Sequence, residues 1–208
     1  LDSFDYHCFL THSGTHNYLS HGISALDILE RFDTVFIGHP DVEQRNIRFH
    51  GSDELRRALA AAELELIAPE ELCRRVDATL RTLRRLPLWH GLPYNWYSTE
   101  TLTVMDPPFI SSVDSGNLCA CLVALAQGLR HYLPETPDEF ASLSQRVDAF
   151  AAGMELHRLY DHSAQLFSIG YHTDTEALDA AHYDLYACEA QLLSFVAVMR
   201  RDVPLRHF

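Results

Sequence analysis

From Ser52 onward two kinds of helical pattern alternate, and this alternation limits the fold more than any other feature. The stretch SDELRRALAAAELEL (52–66) is dense in strong helix formers. Pro69 stands where a first helical residue is tolerated, and it opens PEELCRRVDATLRTLRRL. That segment puts Leu72, Val76, Leu80 and Leu83 on one face and arginines on the other, and Pro87 stops it. A second long helix, SGNLCACLVALAQGLRHYL, is expected from Asp114 or Ser115 and is apolar nearly all round, as a buried helix is. Pro137 begins DEFASLSQRVDAFAAGMELHRL, with acids early and Arg158 late, as the helix dipole favours. A further helix, almost wholly apolar through LLSFVAVM, is expected from about Ala181 to Arg200. Amphipathic helices alternating with apolar ones predict an outer ring of helices wrapped around an inner ring.

Composition narrows the function classes. The chain has 208 residues, 47% hydrophobic and 22% charged, which suits one compact domain or a large piece of one and argues against disorder. All 16 basic residues are arginines, against 29 acids, for a net charge of -13. A phosphate backbone would be repelled, so nucleic acid is not an expected partner. No apolar run approaches the ~20 residues of a bilayer span, and no signal peptide opens the chain, so it is expected to be soluble. Five cysteines (Cys8, Cys73, Cys119, Cys121, Cys188) fall mostly in helical patterns, which favours free thiols in a reducing compartment. The first residue is Leu1 rather than methionine, and an excerpt from a larger protein is expected.

Residues 1–50 read as an irregular segment rich in histidine and aromatics, with a β-prone run Thr34–Ile37 and a short helix over Ile23–Arg31; residues 51–208 form the helical region. Pro87 to about Val113 is a long aromatic connection, and loops of that length tend to be functional. LFSIGYH (166–172) alternates like a short strand or extended arm.

Two places where loops enter inner helices carry the chemistry. One joins YNWYSTETL (94–102) to FISSVDSGNL (109–118); the other is ALDAAHYDLYACEAQ (177–191). Each sets a carboxylate (Asp114; Asp179 and Asp184) beside a helix N-terminus, near Trp96, Tyr97 or Tyr183. Aromatic faces stack on the C–H faces of sugars while Asp and Asn serve the hydroxyls. Structural roles stand beside these. Asp114 is an N-cap candidate, Asn117 a helix hydrogen bonder, and Trp96 and Tyr97 core plugs. Glu189 in an apolar helix calls for an internal partner.

His12 and His16 have the i, i+4 spacing of a zinc pair, with His21 close by, but Ser13-Gly14-Thr15 favours a turn and a surface or structural role. Cys119 and Cys121 lie on different helix faces. His157, Asp161 and His162 could meet at a helix exit. No phosphate loop, G-x-S-x-G elbow or dinucleotide fingerprint is present. No metal and no cofactor are expected.

The strings NWYSTETL (95–102), FISSVDSGNLCACLVALAQGL (109–129), LYDHSAQLFSIGYH (159–172) and LDAAHYDLYACEAQLLSFVAVMRRDVP (178–204) resemble, in order and spacing, a stretch of bacterial cyclic β-1,2-glucan synthases. The resemblance covers roughly residues 57–208. It implies a mainly α protein, part of an (α/α) toroid, from the glucoamylase-like region of a large inner-membrane enzyme on the cytoplasmic side. The implied partners are β-1,2-linked glucan and the remaining domains of that enzyme. Asn95, Trp96, Tyr97, Asp114, Asn117, Tyr183 and Asp184 would then line one wall of a sugar cleft. No catalytic residue is assigned; a retaining mechanism needs carboxyls about 5 Å apart, and Asp114 with Asp184 or Glu189 is a fallback pair. The family's Arg-Thr-Ser-Pro-Thr-Asn-like segment is replaced here by RNIRFHGSD (45–53). Two alternatives stand: a helical packing module that binds no sugar, marked by an exposed apolar patch, and a metal-dependent hydrolase built on the N-terminal histidines.

Overall fold

A computed structural model describes residues 46–48, 51–98, 100–131, 137–184 and 190–207. Strand β1 (Asn46–Arg48) leads to helices α1 (Gly51–Glu63) and α2 (Pro69–Leu83). Short strands follow: β2 (Leu88–Trp89), β3 (Leu92–Pro93), β4 (Trp96–Ser98) and β5 (Phe109–Ser111). Next come α3 (Ser112–His131) and α4 (Pro137–Ala152), then a 3₁₀ turn over Leu156–Leu159. Strands β6 (Tyr160–Asp161), β7 (Leu166–Phe167), β8 (Gly170–His172) and β9 (Ala177–Leu178) precede α5 (Gln191–Met199) and a last 3₁₀ turn over Leu205–His207.

Helix α3 is the hub, packing against α1, α4 and α5, while α2 packs against α1 and α4. Two rows result, α1–α3–α5 and α2–α4, and the apolar periphery of α3 is what its central place requires. Leu118, Leu122, Leu125 and Leu129 of α3 meet Leu72, Val76 and Leu80 of α2, Phe140 and Val147 of α4, and Leu193 and Val196 of α5 in one buried core. The expected face of α2 is the observed one. Its solvent face is laced by Glu71 with Arg74 and Arg75, and by Asp77 with Arg81 and with Arg146 of α4. Close approach of α3 to α5 depends on Gly116, where a Cβ would stand 2.4 Å from Leu193 Cβ; a Cβ on Gly128 would meet only the side-chain end of Leu59, with Cδ1 at 2.8 Å.

Several expectations are corrected. The connection after Pro87 is not irregular. It contains the β2–β3 hairpin, β4 paired antiparallel with β1, and β5 in a three-stranded sheet of order β5-β8-β9. Each strand is only two or three residues long, too short to alternate visibly in the sequence. The last helix starts at Gln191 instead of Ala181. Residues 181–183 are extended, because Ile169 N–H donates to Ala181 O at 3.0 Å and Tyr183 N–H to Phe167 O at 3.0 Å. Helix α3 begins at Ser112, earlier than expected, since Ser111 supplies its cap. The predicted strand within LFSIGYH is present as β7 and β8. The readings of Thr34–Ile37, Ile23–Arg31, the histidines at 12, 16 and 21, and Glu189 lie outside the described residues. Among the described residues no helix is long and apolar enough to cross a membrane.

Candidate functional site

Sheet β5-β8-β9 delivers the chain directly to the N-terminus of α3. Ile110 pairs with Tyr171, and Tyr171 with Leu178, in antiparallel register. Gly170 is required in β8, since a Cβ there would stand 2.3 Å from Ile110 O. Ser111 then caps α3: its hydroxyl accepts from the Asp114 N–H at 3.2 Å. Ser-Ser-Val-Asp (111–114) has the form of a capping box, a signal in the sequence that points to Ser111 rather than Asp114 as the cap. Asp114 is thereby freed from the cap expected of it and sits in the first turn, where the helix dipole favours a carboxylate.

Asn95 ties this turn to the preceding loop. Its N–H donates to Phe109 O at 2.8 Å. In the amide orientation that satisfies both neighbours, its side chain donates to Asp114 Oδ2 at 2.9 Å and accepts from the Trp96 indole Nε1–H at 3.0 Å. Trp96 is itself placed by β4, where it pairs with Arg48 and its carbonyl accepts from Met105 N–H at 3.1 Å. Indole, amide and carboxylate thus form one hydrogen-bonded row, and all three residues are half-buried. Asn117 is also half-buried and lies three residues beyond Asp114, on the same helix face.

The other candidates fall elsewhere. Tyr97 is buried, and its hydroxyl donates to Pro87 O and accepts from Tyr94 N–H, both at 2.8 Å. Burial pushes its phenol well above the ordinary tyrosine range. It is a strut beneath the loop, and its surface does not face outward as a sugar contact would require. Removing the hydroxyl in Tyr97→Phe leaves two backbone groups unpaired and should cost about 1–3 kcal/mol in chemical denaturation. A variant within about 0.5 kcal/mol of the parent would deny it that role. Tyr183 is half-buried and Asp184 exposed, both on the extended segment after β9. Asp179 is not at a helix N-terminus but in this same segment, its Oδ2 3.0 Å from His172 Nε2.

Asp161 does not gather His157 and His162. Its carboxylate takes Ser163, Ala164 and His182 as partners. Among the described residues no group of three or more His, Cys, Asp or Glu could hold a metal ion. Cys119 and Cys121 are buried and joined in no disulfide, and burial raises the Cys119 pKa. The two histidine–aspartate pairs are not legible in the sequence, because their partners are 7 and 21 residues apart and are joined by turns and short strands rather than by one regular element.

Residues 50–139 match the family described as "Protein of unknown function (DUF3131)". Over 78 residues, 38% of this chain, the sequence is 37% identical to the cyclic β-(1,2)-glucan synthase NdvB of Rhizobium meliloti (strain 1021), of which the stretch is 3%. The resemblance to that synthase family is therefore real and local. Among solved structures, an endo-β-1,2-glucanase from Chitinophaga pinensis, in complex with sophorotriose and glucose, is similar with a TM-score of 0.53 at 16% identity, over 67% of this chain and 33% of that one. A protein of Bacteroides caccae ATCC 43185, provisionally named a glucoamylase, gives 0.55 at 16% identity over 67% and 34%. The fold is thus mainly helical, two rows of helices that correspond to part of an (α/α) toroid. The chain spans about a third of these solved chains and 3% of the synthase.

Proposed function

We propose that this chain forms one wall of a β-1,2-glucan-binding cleft in an enzyme of the cyclic β-1,2-glucan synthase type, used in glycosyl transfer and cyclization. The observation that carries the reading is the Trp96–Asn95–Asp114 row at the N-terminus of α3. An indole edge fixed by hydrogen bonding leaves its ring face to stack on a pyranose, while the carboxylate and amides of Asp114, Asn95 and Asn117 serve the hydroxyls. The similarity to a synthase and to a β-1,2-glucanase supports the linkage type. No catalytic pair is assigned; the chain by itself contacts glucan without turning it over. On this reading its partners are β-1,2-linked glucan and the remaining domains of a larger enzyme at the cytoplasmic side of the bacterial inner membrane.

Calorimetric titration with linear β-1,2-glucooligosaccharides, using cello-oligosaccharides as control, tests this. Selective binding is expected, weakened at least about tenfold by Trp96→Ala, since a lost aromatic stack is worth about 1–3 kcal/mol in comparable base-stacking sites. A folded chain that binds neither series would sink the reading. Release or rearrangement of glucan by the pure chain, abolished by Asp114→Asn, would show that it is an enzyme in its own right.

One observation favours a second reading. Leu192, Phe195 and Met199 are 38%, 59% and 51% exposed, at i, i+3 and i+7 on one face of α5. A helical packing module would carry such a stripe and bind no sugar, so the same titration separates the two.

A further inference from the structure

The stretch from Gly170 to Asp184 has little apolar burial to hold it. Asp174 to Ala177, Ala180, Ala181 and Asp184 are all exposed. Polar fastenings take over. His172 Nε2 lies 3.0 Å from Asp179 Oδ2, across the β8–β9 hairpin. His182 Nε2 lies 3.0 Å from Asp161 Oδ2 at the end of β6.

Each aspartate is fixed independently of its histidine. Asp161 Oδ1 accepts from the Ser163 hydroxyl at 2.6 Å, the Ser163 N–H at 2.7 Å and the Ala164 N–H at 3.2 Å. Asp179 Oδ1 accepts from the Ala181 N–H at 2.9 Å. The Ser163 hydroxyl first, then the two backbone N–H groups and His182, hold the Asp161 carboxyl well below the usual carboxylate range. His172 first, then the Ala181 N–H, lower the pKa of the Asp179 carboxyl. Both anchors are therefore anions at neutral pH, and hydrogen bonds to ionised acceptors are the stronger kind. Between the anchors the backbone is stitched by Ile169 N–H to Ala181 O and Tyr183 N–H to Phe167 O, each 3.0 Å.

We propose that His172 and His182 are positioning residues: through Asp179 and Asp161 they fix the path of the strap that ends in Tyr183 and Asp184, and so the second edge of the sugar wall. The assignment rests on the glucan-cleft reading above. A hydrogen-bonded imidazole ring is a stiff spacer with few rotamers, so it holds an exposed segment at small entropic cost.

The test is His182→Ala in the full chain, with His182→Gln as rescue, because a side-chain amide can still donate to Asp161. Hydrogen exchange is read at the Ile169 and Tyr183 amides, and affinity by titration with linear β-1,2-glucooligosaccharides. His182→Ala is expected to speed exchange at those two amides about tenfold or more, leaving α3 and α4 protected, and to weaken glucan binding about tenfold; His182→Gln restores both. The double variant with Asp161→Asn should add little to His182→Ala, as partners in one bond do. Unchanged exchange overturns the assignment, and so does faster exchange with unaltered affinity. A parent chain that binds no β-1,2-glucan overturns the cleft reading itself, and this one with it. If His182→Ala fails to fold, His172→Ala on the exposed hairpin is read in the same way.

Discussion

Arg200→Met is expected to lower folding stability by about 3 kcal/mol, the lower end of the cost of breaking a buried charged cluster from one side, since Arg200 and Asp202 are half-buried. Arg200 caps α5 and reaches α3, α4 and the turn after α4. Its Nη1 donates to Ala151 O at 2.8 Å and lies 2.8 Å from Cys119 Sγ of α3, and its Nη2 donates to Met154 O at 2.9 Å. The guanidinium thus adds a second hydrogen bond to two carbonyls at the exit of α4, which also accept from the Met154 and Leu156 N–H groups. Asp202 Oδ2 sits 3.2 Å from Arg200 Nε without the alignment of a hydrogen bond. Methionine fills similar volume but leaves the carbonyls and Asp202 without their cation. In thermal unfolding the loss should appear as a Tm lower by roughly 10 °C. Lysine should recover only part, since one ammonium cannot reproduce the planar fork.

A pH series adds a sign to this result. Burial raises the Asp202 pKa, against the lowering effect of Arg200. A carboxyl with a raised native pKa binds more protons folded than unfolded, so its contribution to stability improves as pH falls through that native value. Removing Arg200 raises the pKa further. The deficit of Arg200→Met should therefore be largest at neutral pH and shrink on acidification towards the raised Asp202 pKa. A deficit below about 1 kcal/mol, or one that grows as pH falls, would mean that the cluster does not join the helix ends.

Gly116→Ala is the second large effect. Alanine is the better helix former by about 1 kcal/mol, so propensity alone predicts a gain. The new Cβ would stand 2.4 Å from Leu193 Cβ and 2.8 Å from Leu193 Cα, and a backbone atom cannot swing aside. Helices α3 and α5 must separate, which should cost about 2–3 kcal/mol net. Gly128→Ala is the control: its Cβ would meet only the tip of Leu59, with Cδ1 at 2.8 Å, and a flexible side-chain end can give way. It should be near neutral in denaturant unfolding. Equal costs at the two glycines would show that loss of α3 packing, not backbone contact with α5, is what matters.

Long-period features were the legible ones. The buried face of α2 and the apolar periphery of α3 follow from residues that recur over many turns, and such repetition survives the loss of any single position. The Asn95, Trp96 and Asp114 grouping was also within reach, because aromatic, amide and acid cluster where a loop meets a helix. What escaped was set by pairings between distant residues. Ala181 to Asp184 suit a helix locally, yet hydrogen bonds to residues 167–169 make 181–183 a strand-like segment. For Tyr97 a core plug and a sugar contact stand side by side in the sequence, because nothing nearby reveals that Pro87 O and Tyr94 N–H are waiting for its hydroxyl. Arg200 marks only the expected end of the last helix in the sequence; its partners at 119, 151 and 154 are 46 or more residues away.

Strand β5 ends at Ser111 and α3 begins at Ser112, with no residue between them. The rotational phase of the helix is therefore geared to the register of the sheet. With 3.6 residues per turn, inserting one residue at this junction would rotate every later side chain by about 100°. Asp114 and Asn117 would turn away from Asn95, and Gly116 would lose its place against Leu193. Additions in the stretch after Glu100 carry no such coupling, because residues before β5 are upstream of the gear. Length changes among related chains should accordingly gather ahead of Phe109 and be missing between Phe109 and Asn117, whatever carbohydrate each one handles.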